Sequence, residues 1–484
     1  MKSSKKIIAA ALAVSTVFGI SACGQSGGGR IENTQTTTTT AMITTTEDEI
    51  FDNPVDVGNV NLDVTDNDTD ISGTVVRYIG CYDLRTAGDI KPAYKYFEET
   101  YNATIEVELC ADNAIMETLA KYMAADTSPD LVDARDNTFP YLISKNSYEP
   151  LDGYIDLSAP QWDGVTDIID GYQLNGKHYY YPWAYFVSPN FLIYNRGLFQ
   201  EYGIKDPKEL WDAGEWTWDA FYDCMIQFKN NSQYEDALGL YGAISTTAIN
   251  STGEALIGFE NNQLVNNLRS AGVERAQQFL EKLKKEGLSS LFYGTYSNVD
   301  HYPVIDGNAA FQSVGDWKIS DYSRYQKLKA KKGEDIDIFF VPYPRDPSSD
   351  EYYYTLDTFG YMVPAGSKNI QASCIFINCV RLSQTDPELK EVTRESIMKS
   401  KAYTEEQYEL WSYFHDVNNF DHLVVDYATC FDTDTINNTI TPMLEDVPFV
   451  TSAENDNSWT TLRETNYNIV DSKIQEINAL INGQ

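Results

Sequence analysis

The sequence predicts an α/β chain built as large lobes, on three observations. Strand-like runs alternate with helical ones from about Gly73 onward, the mark of βαβ units and a mainly parallel sheet. At 484 residues the chain is long enough for two or three domains, or for two large lobes. The stretch 172–218 reads as a crossing where one lobe hands the chain to another. Within it, Tyr179-Tyr180-Tyr181 runs into Pro182-Trp183, Ser188-Pro189 interrupts, and Phe191-Leu192-Ile193-Tyr194-Asn195 resumes as an extended run. Two prolines this close prevent one continuous helix or one uninterrupted central strand. Trp183, Tyr185 and Phe186 sit at the crossing, a common place for a ligand cleft.

The first lobe opens with a predicted strand at 74–79 and the loop Gly80-Cys81-Tyr82-Asp83. Tyr94, Phe97 and Tyr101 have helical spacing over 91–101. A second strand at 104–109, a helix at 114–125 and a short strand at 130–134 follow. Ligands of such sheets bind beyond the carboxyl ends of the strands. That singles out Tyr82-Asp83 and Asp133-Ala134-Arg135-Asp136, whose charges otherwise serve as loop solvation or helix caps.

Beyond the crossing, a short helix over 197–202 closes at Gly203. Thr217 can cap a helix running through Phe228, with Trp216 and Trp218 as packing residues. Phe279, Leu280 and Leu283 share one face of a helix over 271–286, ended by Gly287. Ala309-Ala310-Phe311 is strand-like and leads to Gly315-Asp316-Trp317. A strand at 336–341 ends at Pro342 and Pro344, and 356–363 reads as a return strand with Gly360 inside it. A helix over 369–382 comes next, and the remainder is mostly helical up to a polar loop before Trp459.

Composition narrows the partners. Hydrophobic content of 42% with 13% aromatic residues describes a protein with a real core. A net charge of -36 argues against nucleic acid, whose phosphates call for Lys and Arg, and against electrostatic membrane binding. The amino terminus is a targeting segment: Lys2, Lys5 and Lys6 precede an apolar run over 7–20, too short to span a bilayer comfortably. It ends in Ile20-Ser21-Ala22-Cys23, which resembles a bacterial lipobox. Residues 1–22 are then a lipoprotein signal peptide, and Cys23 carries the acyl chains that anchor the protein. Residues 23–72 form a Thr-, Gly- and Asp-rich tether that cannot bury enough apolar surface to fold. Six dispersed cysteines remain and read as buried thiols, not as a disulfide scaffold.

Enzyme chemistry is poorly represented. There is no G-x-S-x-G elbow, Walker loop or G-x-G-x-x-G after a strand. His415, Asp416, Asp421 and His422 cluster locally without metal-ligand spacing, so a solvated helix end is expected there. No cofactor is called for.

Taken in order, Tyr179 to Trp183, Ile193-Tyr194-Asn195, Trp216-Thr217-Trp218-Asp219-Ala220-Phe221, Ala309-Ala310-Phe311 through Gly315-Asp316-Trp317, and Gly360-Tyr361-Met362-Val363-Pro364 resemble the family 1 extracellular solute-binding proteins. These are receptors of carbohydrate-type ABC importers, similar to maltose-binding protein. The resemblance implies a periplasmic-binding-protein-like α/β fold of two lobes joined by hinge segments around a central ligand cleft. It implies lobe one over 73–185 and 357–430, and lobe two over 190–355 and 435–484, with crossings near 183–189 and 357–360. Carried over singly, Tyr82, Asp83, Arg135, Asp136, Trp183, Tyr185, Tyr194, Asp316, Trp317 and Trp459 become candidate ligand contacts, with Trp317 as an aromatic platform. The implied ligand is a sugar or oligosaccharide and the implied partner an ABC permease, at the extracellular face of a bacterial membrane. Pyranose rings suit this chain, since their apolar faces and hydroxyl edges call for flat rings and hydroxyl groups, and 34 tyrosines supply both. A peptide or polyamine ligand, a surface carbohydrate-active enzyme and an adhesive protein are the alternatives.

Overall fold

Three short parallel strands open the chain as the computed structural model describes it, over residues 70–86, 90–111, 114–134, 138–290, 303–320, 322, 336–400, 403–449 and 457–483. Val75–Gly80 is central, pairing in parallel with Thr104–Leu109 on one side and Leu131–Asp133 on the other. The helices Lys91–Tyr101 and Ile115–Ala124 make the crossovers, with Phe97 and Tyr101 buried as their spacing predicts. The next partner comes from far along the chain. Tyr354–Met362 pairs antiparallel with Leu131–Asp133, and along most of its length with Tyr181–Val187. Leu423–Val424 joins it in parallel at Tyr354 and Thr355.

A second sheet runs in the order Ser289–Ser290, Leu238–Tyr241, Ala309–Gly315, Asn190–Asn195, Ile338–Val341. Its core is aromatic. Phe311 packs on Trp216, Phe221 and Phe199, with ring centroids 4.9–5.8 Å apart. Thr217 caps the helix Trp218–Asn231 by accepting from the Ala220 amide at 3.3 Å, which fixes where that helix starts. Trp216 and Trp218 are both buried, and their indoles donate to the Pro342 carbonyl and to Ser251.

The two sheets are tied where the chain passes between them. Tyr181–Val187 belongs to the first sheet, Asn190–Asn195 to the second, and only Ser188-Pro189 separates them. Ser188 is fully buried and holds φ 55°, a left-handed conformation that costs an L-residue energy unless its surroundings impose it. They do so here. Its amide donates to the Thr355 carbonyl at 2.8 Å and its hydroxyl to the Asn190 carbonyl at 2.9 Å.

The second passage differs from expectation. Asp357–Gly360 does not cross; those residues are paired within the first sheet with residues 182–186. The chain leaves the second sheet at Val341 and enters the first at Tyr354. A β-bulge at Phe359/Gly360 explains the glycine, because a Cβ there would lie 2.6 Å from the Tyr180 ring. The helix Glu405–Phe414 also departs from its expected lobe. Gln407 donates to the Ile338 carbonyl, Phe414 packs on Phe191, and Glu406 pairs with Arg196, so this helix docks on the second sheet.

Gly80 ends the central strand of the first sheet beside a buried pair, Tyr78 donating to Asp133 at 2.8 Å. A Cβ at this position would fall 1.7 Å from the Tyr78 hydroxyl oxygen and 2.6 Å from the Asp133 carboxylate. Gly80→Ala is therefore expected to lower unfolding free energy by about 1–3 kcal/mol, as overpacking does. A urea midpoint unchanged from wild type would show that the strand end yields freely.

Candidate functional site

The carboxyl ends of the parallel strands carry Tyr82 in the first sheet and Asp316 in the second. Tyr82 is half-buried with its ring 5.9 Å from Phe359 and 6.4 Å from Tyr78, and its hydroxyl 3.4 Å from that of Tyr361. Burial, then the Asp133 charge, pushes its phenol well above the usual tyrosine value, so it stays a neutral donor and acceptor. Asp133 sits beneath the loop, accepting from the Tyr78 hydroxyl and the Cys81 amide. Asp83 turns back on Arg85 in a two-bond pair, which holds its carboxyl below the usual range. Asp316 lies against the crossing, its amide donating to the Pro189 carbonyl and its carboxylate 3.2 Å from His415 Nε2. Phe186 of the crossing strand meets the same histidine edge-on at 5.6 Å. Among the described residues no group of acidic, histidine and cysteine side chains could hold a metal ion.

Four of the predicted contacts are core residues instead. Trp183 is fully buried, its ring 5.4 and 6.0 Å from those of Phe359 and Tyr361. Its indole N–H has no hydrogen-bond partner, a cost of about 1–3 kcal/mol that its ring packing must offset. Tyr185 is buried under Arg381 and donates to the Pro182 carbonyl. Tyr194 lies among Phe199, Phe311 and Phe339, with its hydroxyl bound to Asp206. Trp459 is buried and gives its indole N–H to Glu274 at 2.9 Å. In each case the polar tip that would have met a ligand is enclosed by the core. Trp317 belongs to the turn Asp316–Lys318, and its side chain is outside the described ones. Arg135, Asp136 and Cys23 lie outside the described residues.

A cluster that sequence reasoning did not assemble stands at the junction of the two sheet-bearing parts. Phe139, from the loop after the third strand, meets Tyr172 at 5.4 Å, Phe259 at 5.0 Å and Tyr427 at 5.9 Å. Tyr172 meets Tyr180 at 5.1 Å, and both hydroxyls converge on Thr358 Oγ1 at 3.0 and 3.2 Å. The rings mostly meet edge to face, the favoured geometry for aromatic pairs. Phe259 arrives on the hairpin formed by Ile257–Glu260 and Gln263–Asn266, whose turn residues Asn261 and Asn262 take positive φ of 51° and 61°. The only signal in the sequence was aromatic density around 172–186; Phe139, Phe259 and Tyr427 are too far apart along the chain to be grouped by spacing.

Asp426 holds this junction together. Its carboxylate accepts from the amides of Leu256, Ile257 and Ala428 and from Asn250 Nδ2, at 2.7–3.2 Å. Asn250 in turn accepts from Thr355 of the strand Tyr354–Met362 at 2.9 Å. Burial outweighs these donors and raises the Asp426 carboxyl above its ordinary 3.8. The folded state thus holds this proton more tightly than the unfolded chain. Stability from Asp426 is full below pH 3.8 and is lost as pH rises through the higher folded value. Asp426→Asn is expected to flatten the fall in urea midpoint as pH rises above 3.8, while lowering the midpoint at every pH because its amide faces donors. An unchanged slope in a pH series would show that the carboxyl does not titrate there.

Comparisons agree with this architecture. A model of the family described as bacterial extracellular solute-binding protein matches residues 93–410. The sugar-binding protein MalE of Xanthomonas citri is similar in structure, with a TM-score of 0.61 and 16% identity over 85% of this chain and 98% of that one. The GacH receptor of Streptomyces glaucescens gives 0.59 and 16% over 83% and 98%. UgpB of Mycobacterium tuberculosis gives 0.59 and 14% over 83% and 100%. A putative binding protein of Brucella abortus is 27% identical over 29% of this chain, a match spanning only 34% of that protein's length.

Proposed function

This chain belongs to the bacterial extracellular solute-binding proteins, and from that premise we propose that it captures a sugar or short oligosaccharide and delivers it to an ABC permease. The observation that carries the reading is the rim of the aromatic junction, where the half-buried rings of Phe259 and Tyr427 lie 5.6 Å apart over the buried Phe139 and Tyr172. Flat rings beside hydroxyls are what a pyranose requires. A ligand that touches both lobes favours the form in which they approach, by its differential contacts. Tyr82 and Asp316, at the strand ends, complete the set of candidate contacts. The lobes run over 73–185 with 357–430 and over 190–355 with 435–484, except that 354–355 go with the first and 405–414 with the second. The chain binds without turnover and takes no cofactor. GacH has been solved with acarbose and UgpB with glycerophosphocholine, so a ligand outside the carbohydrates is the second reading.

A thermal-shift screen of mono-, di- and oligosaccharides, peptides and polyamines tests the cargo. A ligand at about one hundred times its Kd adds roughly 2.7 kcal/mol, a shift of a few degrees in Tm. The expected result is a shift with one sugar class, the sugar recovered unchanged, and an affinity reduced about tenfold in Phe259→Ala, the loss of about one aromatic contact. A shift with polyamines or peptides alone overturns the cargo, and a consumed compound overturns the binding role.

Attachment through Cys23 is a separate part of the proposal. Cys23→Ser is expected to move the protein from the membrane fraction of its host to the soluble one, with the melting point unchanged. Retention in the membrane fraction would remove the lipid anchor.

A further inference from the structure

Four of the six cysteines within the described residues are buried as expected, but Cys81 and Cys110 are only half-buried. The parallel ladder of Val75–Gly80 with Thr104–Leu109 ends at the pair Gly80 and Leu109. Its hydrogen bonding continues one residue further. The Thr104 amide donates to the Thr74 carbonyl at 2.9 Å, and the Cys110 amide donates to the Gly80 carbonyl at 3.0 Å. The second bond repeats the offset of the first, so it places Cys110 directly opposite Cys81. Residues opposite one another in a ladder send their side chains to the same face, and neighbouring strands lie about 4.8 Å apart. That separation falls inside the roughly 4.4–6.8 Å between Cα atoms that a disulfide accepts.

We propose that Cys81 and Cys110 are a redox-active pair that closes to a disulfide in the oxidising surroundings of an extracellular protein. The oxidant is an external disulfide. One cysteine thiolate attacks a sulfur of that disulfide and expels its other sulfur as a thiolate, leaving a mixed disulfide. The second cysteine thiolate then displaces the remaining thiol. The pair gives up two electrons and two protons, and the oxidant leaves as two thiols. The four buried cysteines take no part: burial pushes the Cys224 and Cys374 thiols up to about 12 and raises Cys379 and Cys430 further. Closure staples the start of the loop that carries Tyr82 to the neighbouring strand. The bond itself rests on backbone register and on no assignment of ligand.

The test is to incubate the full chain with oxidised glutathione, alkylate it unfolded, and map its peptides without reduction. The expected result is the loss of two thiols per chain and one linked peptide pair joining Cys81 to Cys110. Wild-type protein oxidised in this way should also lose melting temperature on addition of dithiothreitol, and Cys110→Ser should not. Thiols that all remain alkylatable, glutathione retained on either cysteine without a link, or a link between other cysteines each overturn the proposal. The thiol count needs no variant and is read on sulfur alone, so its failure is distinct from failure of the ligand screen.

Discussion

The antiparallel pairing of Tyr181–Val187 with Tyr354–Met362 is the constraint on which the rest depends. These two strands bring the chain to and from the second sheet, and they are neighbours within the first. Ser188 makes the arrangement explicit, because its amide is spent on Thr355 at the point where the paths diverge. A buried left-handed serine is tolerable only where such bonds over-determine it. The same strand presents Thr355 to Asn250 and Thr358 to Tyr172 and Tyr180. Hinge, junction and aromatic cluster therefore share one structural element, and a change in its register would move all three.

Much of this was legible in the sequence for a physical reason. Strands and helices declare themselves through local spacing, so Lys91–Tyr101, the Thr217 cap and the run Asn190–Asn195 emerge close to where their side-chain pattern puts them. The crossing was marked by prolines, which act locally. Tryptophans gave no such guidance. An indole has a large apolar body and a single donor, and the core can satisfy both as well as a ligand can. Trp459 finds its acceptor in Glu274, 185 residues away, and no spacing rule reaches that far. Tyr194 and Tyr185 misled in the same way, since a tyrosine on a strand faces the cleft or the core according to a half-turn that only pairing decides. The junction stayed hidden because its rings come from four separate segments and its half-buried carboxylate, Asp426, lies in an unremarkable loop.

Charge behaves differently at the surface and at the junction. The chain carries a net -36, and water screens charge wherever a side chain is exposed. Asp426 is the opposite case, a carboxylate enclosed by amide donors whose position, not whose charge, links three segments. Acidity of the whole therefore says little about what the binding region attracts.

Strand order also constrains how the two sheets can assemble. The five strands of the second sheet fall within one continuous stretch, from Asn190 to Val341. The first sheet is interrupted by that whole stretch, and Leu131–Asp133 has no partner on its outer side until Tyr354–Met362 exists. A chain emerging amino end first can thus complete its inner module while the outer one still waits with an open edge. Loop closure over such a span is the slow, entropically expensive contact of the fold. The first sheet is complete only once the strand Tyr354–Met362 is in place, and until then Leu131–Asp133 presents an open edge.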